Sequence, residues 1–297
     1  MNKIIVVTGG AGFVGANLIK ILIKKTNFNI ISIDNYSSGY KKNHIKNPRV
    51  KYIKEDTVNI RKILSKYINK IDSVFHFGEF ARIYQSFFKM NECIESNSIG
   101  THAVIKFCME NKIKLIYSAT SATLGNNGND KNLSPYAFTK SKNLELLDNL
   151  KIWFGFKFEI IYFYNVYGPR QISKGNMATV IGIFEDCFKN KKPLTVVKPG
   201  NQKRDFTHVL DIVDGLLKIS SSDIKHDDAW EIGTGVNYSV NQLYSMFDKK
   251  YNTRSVSIPD QRGNYRETLR VNDDLINILN WKPKDRLKEY IENLKSL

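Results

Sequence analysis

The 297-residue sequence predicts an α/β fold: a doubly wound parallel sheet with helices on both faces, followed by a smaller C-terminal α/β lobe. Three observations lead there. Short apolar runs rich in β-branched residues alternate with longer helix-patterned segments over residues 1–168. The first run ends directly in a glycine-rich turn. After Tyr167-Gly168-Pro169-Arg170 the segments shorten and the regular alternation is lost. Strands covered on both faces have no polar side, so an unbroken run such as residues 4–7 indicates a parallel sheet between two helix layers.

The elements follow in order. Residues 4–7 are the first strand, and 16–24 the helix after the glycines. A second strand, 30–33, ends at Asp34; a third covers 50–53, and 61–68 is helical. The strand 73–77 ends at Gly78, a long helix spans 92–110, and the strand 114–117 ends at Ser118. A helix over 135–150 follows. In the second part, helices are expected near 177–189, 208–219 and 240–247, with a strand near 194–197. Residues 1–168 then form a first domain, to which parts of 205–235 return, and 169–297 mainly form the second. Ligands of such sheets bind beyond the carboxyl ends of the strands.

Composition excludes several functions. The net charge of +16 comes from lysines scattered beside Asn and Ile, without an arginine-rich tract, so no nucleic-acid partner is expected. The positive field suits an anionic substrate. The opening apolar run is too short to span a membrane, and the expectation is a cytoplasmic protein with no membrane partner. Cys93, Cys108 and Cys187 have neither metal-ligand nor disulfide spacing. They read as small buried hydrophobes, and no metal is expected.

Two patterns carry chemistry. Thr8-Gly9-Gly10-Ala11-Gly12-Phe13-Val14-Gly15 lies between a strand and a helix and contains Gly10-x-Gly12-x-x-Gly15. Glycines there allow a tight turn and close approach of backbone to a pyrophosphate, which the helix N-terminus attracts. Asp34 ends the next strand, where a carboxylate accepts from ribose hydroxyls and repels a 2′-phosphate. The pattern is that of a Rossmann-type site and favours NAD over NADP. Further on, Tyr136 and Lys140 stand four apart on a helix and share a face. A neighbouring ammonium lowers a phenol pKa, so the pair suggests a tyrosine base and hydride chemistry on an alcohol.

These motifs form a longer series: TGGAGFVG at 8–15, DN at 34–35, HFGEFA at 76–81, N-x-x-G-T at 97–101, SATSATLG at 118–125, YAFTK at 136–140, YFYNVYGPRQ at 162–171, RDFTHVLDIVDG at 204–215 and EIGTG at 231–235. In that order they resemble the extended short-chain dehydrogenase/reductase family, specifically its nucleotide-sugar epimerases and dehydratases. The resemblance implies bound NAD, a nucleotide-diphosphate sugar as substrate, and a homodimer in which the Tyr-Lys helix shares Leu144, Leu146 and Leu147 between core and partner. It implies that Tyr136 takes the proton of a sugar hydroxyl, that Lys140 holds the nicotinamide ribose and lowers the tyrosine pKa, and that Ser121 bonds the same sugar oxygen, with Thr120 as fallback. It assigns to the cofactor Gly9, Gly12, Phe13, Val14, Gly15, Asp34, Asn35, Asp56, Thr57, Phe77, Gly78, Asn97, Ser118 and Phe163, with His76 also lining the cleft. To the substrate it assigns Glu79, Arg82, Asn165, Arg204 and Arg262. Asn264 is a weaker contact for ribose, and residues 194–197 flank the base.

The sequence departs from the family pattern where it matters. Many dehydratases carry Thr-Asp-Glu at the strand end where this chain has Ser121-Ala122-Thr123, so 4,6-dehydration loses its usual acid and base. Glu79 is the one candidate substitute. Where 4-epimerases often place a lysine, this chain has Ala81 and then Arg82, read either as a sugar or phosphate contact or as a surface charge. The loop between Ser121 and Tyr136, with Gly125-Asn126-Asn127-Gly128-Asn129-Asp130, is short. The expectation is an NAD-dependent epimerase acting at C4 of a UDP-hexose or UDP-N-acetylhexosamine through a transient 4-keto sugar. The alternatives are a 4,6-dehydratase or 4-keto reductase, and a catalytically inactive dinucleotide-binding sensor or scaffold.

Overall fold

A computed structural model describes residues 3–125, 128–224 and 226–295. The apolar runs form β1 (Ile4–Thr8), β2 (Asn29–Asp34), β3 (Val50–Lys54), β4 (Ile71–His76), β5 (Lys114–Thr120) and β6 (Phe158–Phe163). The later strands are β7 (Asn165–Tyr167), β8 (Leu194–Val197), β9 (Lys203–His208), β10 (Trp230–Ile232), β11 (Asn237–Ser239) and β12 (Ser255–Ile258). Seven of them make one sheet in the order β10-β6-β5-β4-β1-β2-β3, with every pairing parallel. The strand order reverses beside β1, which puts the topological switch point at the glycine loop. β11-β9-β7 and β12-β8 form two small sheets, built by the second part of the chain together with β7.

Both faces of the large sheet are covered, which is why its strands lack a polar side. The helices Thr101–Glu110 and Pro135–Phe154 pack Val104, Phe107, Cys108 and Leu147 on one face. The helices Phe13–Lys25 and Val209–Ser221 pack Leu18, Ile19, Ile212 and Leu216 on the other, with Trp230 and Trp281. A third core joins β8 and β9 to the helices Val180–Lys189, Val240–Tyr251 and Leu287–Glu292 through Phe184, Phe206 and Phe247.

Several elements differ from the sequence reading. The long helix expected over 92–110 comprises Met90–Ile94, a π-helical segment Glu95–Gly100 and Thr101–Glu110. The wider turn lets Asn97 point inward, and a Cβ on Gly100 would lie 2.4 Å from the Thr57 hydroxyl. The helix expected over 61–68 is Ile60–Leu64 followed by a 3-10 segment, Ser65–Lys70. The helix expected from 177 begins at Val180, because Thr179 caps it by accepting from the Gly182 N–H. Leu147 is fully buried, and Leu144 and Leu146 are partly buried against the same core. Cys93 and Cys108 are buried, Cys187 is half-buried, and all three are free thiols. Among the described residues, no helix is long and apolar enough to cross a membrane.

His76, at the end of β4, is fully buried, with Nδ1 2.7 Å from the Thr8 hydroxyl and Nε2 2.9 Å from that of Thr101. Burial lowers its pKa to about 4, and that of His208 also to about 4. A depressed folded-state pKa gives stability that is complete above the unfolded value of about 6.5 and lost as pH falls toward the folded value. For His76 the full effect is about 3 kcal/mol. Urea unfolding of the protein is therefore expected to become easier from pH 6.5 down to 4, and His76→Gln should flatten that slope while lowering stability at pH 7.

Candidate active site

A cleft of about 990 Å³ runs along the carboxyl ends of the central strands and is closed on the far side by the second part of the chain. At one end lies the glycine loop. Gly9 has φ +69°, and a Cβ there would sit 2.8 Å from the Phe77 carbonyl. A Cβ on Gly15 would lie 2.3 Å from the Gly9 oxygen, so the start of the helix rests directly on the turn. No side chain caps the helix Phe13–Lys25, which leaves its first N–H groups free for an anion. Asp34 closes β2 with Oδ2 accepting from the Ala11 N–H (2.9 Å) and Oδ1 from the Tyr36 N–H (2.8 Å). Its carboxylate is thus aimed at the loop, while burial raises its pKa. Asn35 donates to Asp56 Oδ1 at 2.6 Å. Gly12, Phe13, Val14, Thr57, Phe77, Gly78, Ser118 and Phe163 line the same part of the cleft. Bare helix N–H groups beside a fixed carboxylate acceptor fit the pyrophosphate and adenosine ribose of NAD.

Tyr136 and Lys140 come from the helix Pro135–Phe154, which Ser134 caps by accepting from the Ala137 N–H (3.1 Å). The two side chains face the cleft one turn apart, and both residues are buried. The Thr120 hydroxyl faces the phenol and favours its ionisation, and Ser121 lines the cleft beside it. Lys140 Nζ donates to the Glu79 carboxylate and to the Ser118 carbonyl, and lies 4.7 Å above the Tyr117 ring.

Here the structure corrects three sequence expectations. Glu79 is not available to a sugar: its side chain is 2% exposed, bound by Lys140, with Oε1 also accepting from Thr101 (2.9 Å) and Tyr117 (3.1 Å). The Tyr136 pKa is not lowered but pushed well up, by burial first, with the Glu79 charge adding to it. The lysine charge is already answered by the carboxylate. Asn97 and His76 stand behind the cleft wall, both fully buried. Asn97 accepts from the Phe80 N–H (2.6 Å) and donates to the Phe80 carbonyl (3.0 Å), so it secures the turn that carries Glu79.

The far end of the cleft is basic. Arg82 reaches across it, Nε donating to the Met177 carbonyl at 2.6 Å. Arg204 stacks on the Tyr265 ring (3.7 Å) and donates to Asn264 Oδ1 (2.7 Å). Asn264 is further held by Asp260 (2.9 Å), so its side chain serves Arg204 instead of standing free for a ribose. Arg262 lies 4.4 Å above the Phe87 ring. Asn165 lines the cleft with a buried Nδ2 that has no partner among the described residues. An orphan donor among arginines suits a phosphate oxygen. Sequence reasoning passed over Gln202, whose Nε2 donates to the Val197 carbonyl (3.0 Å) while its buried Oε1 has no partner among the described residues. Its one signal was an amide two residues before Arg204 in the RDFTHV element. Of the short loop, Asn126 and Asn127 lie outside the described residues.

A sequence profile of the NAD dependent epimerase/dehydratase family matches residues 5–233, more than half of the chain. The chain belongs to that family. A candidate UDP-glucose 4-epimerase of Methanocaldococcus jannaschii is 30% identical, over 98% of this chain and 96% of that one. The UDP-glucose 4-epimerase of Thermotoga maritima, solved with UDP-glucose, is 26% identical with a TM-score of 0.88, covering 98% of this chain and 97% of its own. The UDP-N-acetylglucosamine 4-epimerase of Methanobrevibacter ruminantium, in complex with UDP-N-acetylmuramic acid, is 26% identical with a TM-score of 0.86 over 99% and 97% of the two chains. A dTDP-glucose 4,6-dehydratase of Streptomyces venezuelae shares the fold at 18% identity and a TM-score of 0.89, covering 98% and 95%. Epimerase and dehydratase backbones thus superpose equally well on this one, and the reaction has to be read from side chains.

The family is NAD-dependent, and in this chain the Asp34 carboxylate holds the glycine loop through the Ala11 N–H. Asp34→Asn is expected to weaken NAD binding by about 10-fold or more, the cost of one charged hydrogen-bond acceptor. NAD retained after gel filtration, measured on the denatured protein, checks this.

Proposed function

We propose that the chain is a nucleotide-sugar C4-epimerase acting on a UDP-hexose or UDP-N-acetylhexosamine. One observation supports the choice among family reactions: among the described residues, Tyr136 faces Thr120 and Arg82, and the Glu79 carboxylate near it is already held by Lys140. Ser121-Ala122-Thr123 occupies the end of β5, and Glu79 is held by Lys140. Elimination of water across C5 and C6 needs an acid and a base besides the tyrosine; exchange of configuration at C4 needs neither.

In this reading Tyr136, as tyrosinate, takes the proton of the 4-hydroxyl, keeps it while the sugar is a ketone, and returns it. NAD held in the glycine-loop end of the cleft would supply a reversible hydride acceptor for C4, so that the sugar would be neither oxidised nor reduced overall. Thr120 and Ser121 hold the sugar oxygen. Gly9, Gly12, Phe13, Val14, Gly15, Asp34, Asn35, Asp56, Thr57, Phe77, Gly78, Ser118, Phe163 and Lys140 hold the cofactor. Arg204, Arg262 and Asn165 anchor the diphosphate while the sugar turns, and the apolar side chains of Phe80, Ala122, Met177 and Tyr265 pack around Tyr136 and exclude water.

Purified protein is expected to interconvert UDP-glucose or UDP-N-acetylglucosamine with its C4 epimer, followed by NMR, without added reductant. Tyr136→Phe should lower kcat by about 10³-fold or more and leave NAD bound. Accumulation of a 4-keto-6-deoxy sugar would decide against epimerisation and for dehydration.

A further inference from the structure

In the reaction as just described Lys140 holds the cofactor, but its counter-ion Glu79 has no role of its own, although the two form a deeply buried ion pair with side chains 2% and 4% exposed. Its geometry is fully specified. One carboxylate oxygen meets Lys140; the other accepts from Thr101 (2.9 Å), Tyr117 (3.1 Å) and Asn143 (3.4 Å). The turn carrying Glu79 is pinned by Asn97 on both the N–H and the carbonyl of Phe80. Glu79 cannot swing away without leaving a buried ammonium unpaired, so the pair persists.

We propose that Glu79 is a positioning residue that acts through Lys140: by neutralising the lysine it holds the ionisation of Tyr136 at a higher pH than Lys140 alone would set. The inference rests on Tyr136 being the base. An opposite charge about 4–6 Å from a titrating group moves its pKa by about 1–3 units. In a tyrosine-lysine pair that effect lowers the tyrosine; a carboxylate bonded to the same ammonium opposes it. The other groups around the pair do not restore the positive field. His76 of β4 is neutral, its pKa lowered to about 4 by burial. Cys93, of the helix Met90–Ile94, has its thiol pKa raised by burial, and so has the Tyr117 phenol of β5. Tyr265, from the second part of the chain, raises the Tyr136 pKa, and Arg82 lowers it. The charges that act on Tyr136 are Glu79, which raises its pKa, and Arg82, which lowers it; Lys140 stands one turn along the same helix, closed on Glu79. Arg82 then supplies the uncompensated positive charge that Lys140 does not.

Glu79→Gln tests this in the NAD-loaded protein, since an amide oxygen can still accept from Thr101 and Tyr117 while the charge is gone. A tyrosinate base makes kcat/KM fall below its pKa. With the counter-charge removed and Lys140 still protonated, that acid limb is expected to move down by about one pH unit or more. A uniform loss of activity with the limb unmoved would overturn the proposal and leave Glu79 a packing residue. A measurement on unmutated protein guards against a variant that does not fold. In the cofactor-free protein, the ultraviolet difference titration of wild type against Tyr136→Phe should show no tyrosinate from Tyr136 below the ordinary phenol pKa of about 10. Ionisation near neutral pH in wild type would also overturn it. Failure of the base assignment looks different: Tyr136→Phe would then stay active, whatever Glu79→Gln does to the profile.

Discussion

A line of buried polar contacts runs beneath the carboxyl ends of the central strands: Thr8 to His76, His76 to Thr101, Thr101 to Glu79, and Glu79 to Lys140. It ties β1, β4, the helix Thr101–Glu110 and the helix Pro135–Phe154 at the one level where the cleft opens. Each of these groups would be costly if left alone in a low-dielectric interior. Because each has a partner, the chain fixes the relative height of four elements more sharply than apolar packing could. The glycine loop depends on it as well: the same Thr8 hydroxyl accepts from the N–H groups of Phe77 and Gly78, against which Gly9 packs.

This arrangement divides the cleft electrically. Its inner wall is charge-balanced, with the lysine and the carboxylate closed on each other. Its outer wall carries Arg82, Arg204 and Arg262, two of them braced by aromatic rings. The three guanidinium groups make the outer wall the basic side of the cleft, while the Glu79 carboxylate of the inner wall is held by Lys140. Both features narrow the chemistry, and neither follows from the fold, since epimerases and dehydratases share the backbone.

Much of this was legible in the sequence, for physical reasons. Short unbroken apolar runs rich in β-branched residues and ended by glycine or a polar residue fit strands covered on both faces, and glycines required by close backbone approach mark the cofactor end. Thus β1 to β5, the glycine loop, Asp34 and the Tyr136–Lys140 turn were placed correctly. What escaped was anything decided by side-chain direction. Glu79 follows a strand end and reads as a cleft residue; only the packing of Tyr117, Thr101 and Asn143 turns it inward. Asn97 sits in a motif that looks like a ligand contact, but a π-helical turn rotates it toward the Phe80 backbone. Thr120 and Ser121 are neighbours of similar chemistry, and which of them faces Tyr136 depends on the turn that opens at residue 121. Gln202 carried almost no signal, since a lone amide in a polar stretch is ordinary.

The large sheet is completed late. β10, its edge strand beside β6, comes from residues 230–232, after the chain has left the sheet at β6 and built the helix Val180–Lys189, β8, β9 and the helix Val209–Ser221. Until then β6 is an open edge with unpaired backbone groups. The helix Val209–Ser221, which covers one face, arrives at the same stage. A fragment stopping near residue 168 would therefore be an unfinished sheet, and folding has to wait for contacts between residues some seventy positions apart, such as Trp230 with Ile161. During synthesis the exposed edge and the uncovered apolar face are what a chaperone would have to shield until the ribosome has released the last third of the chain.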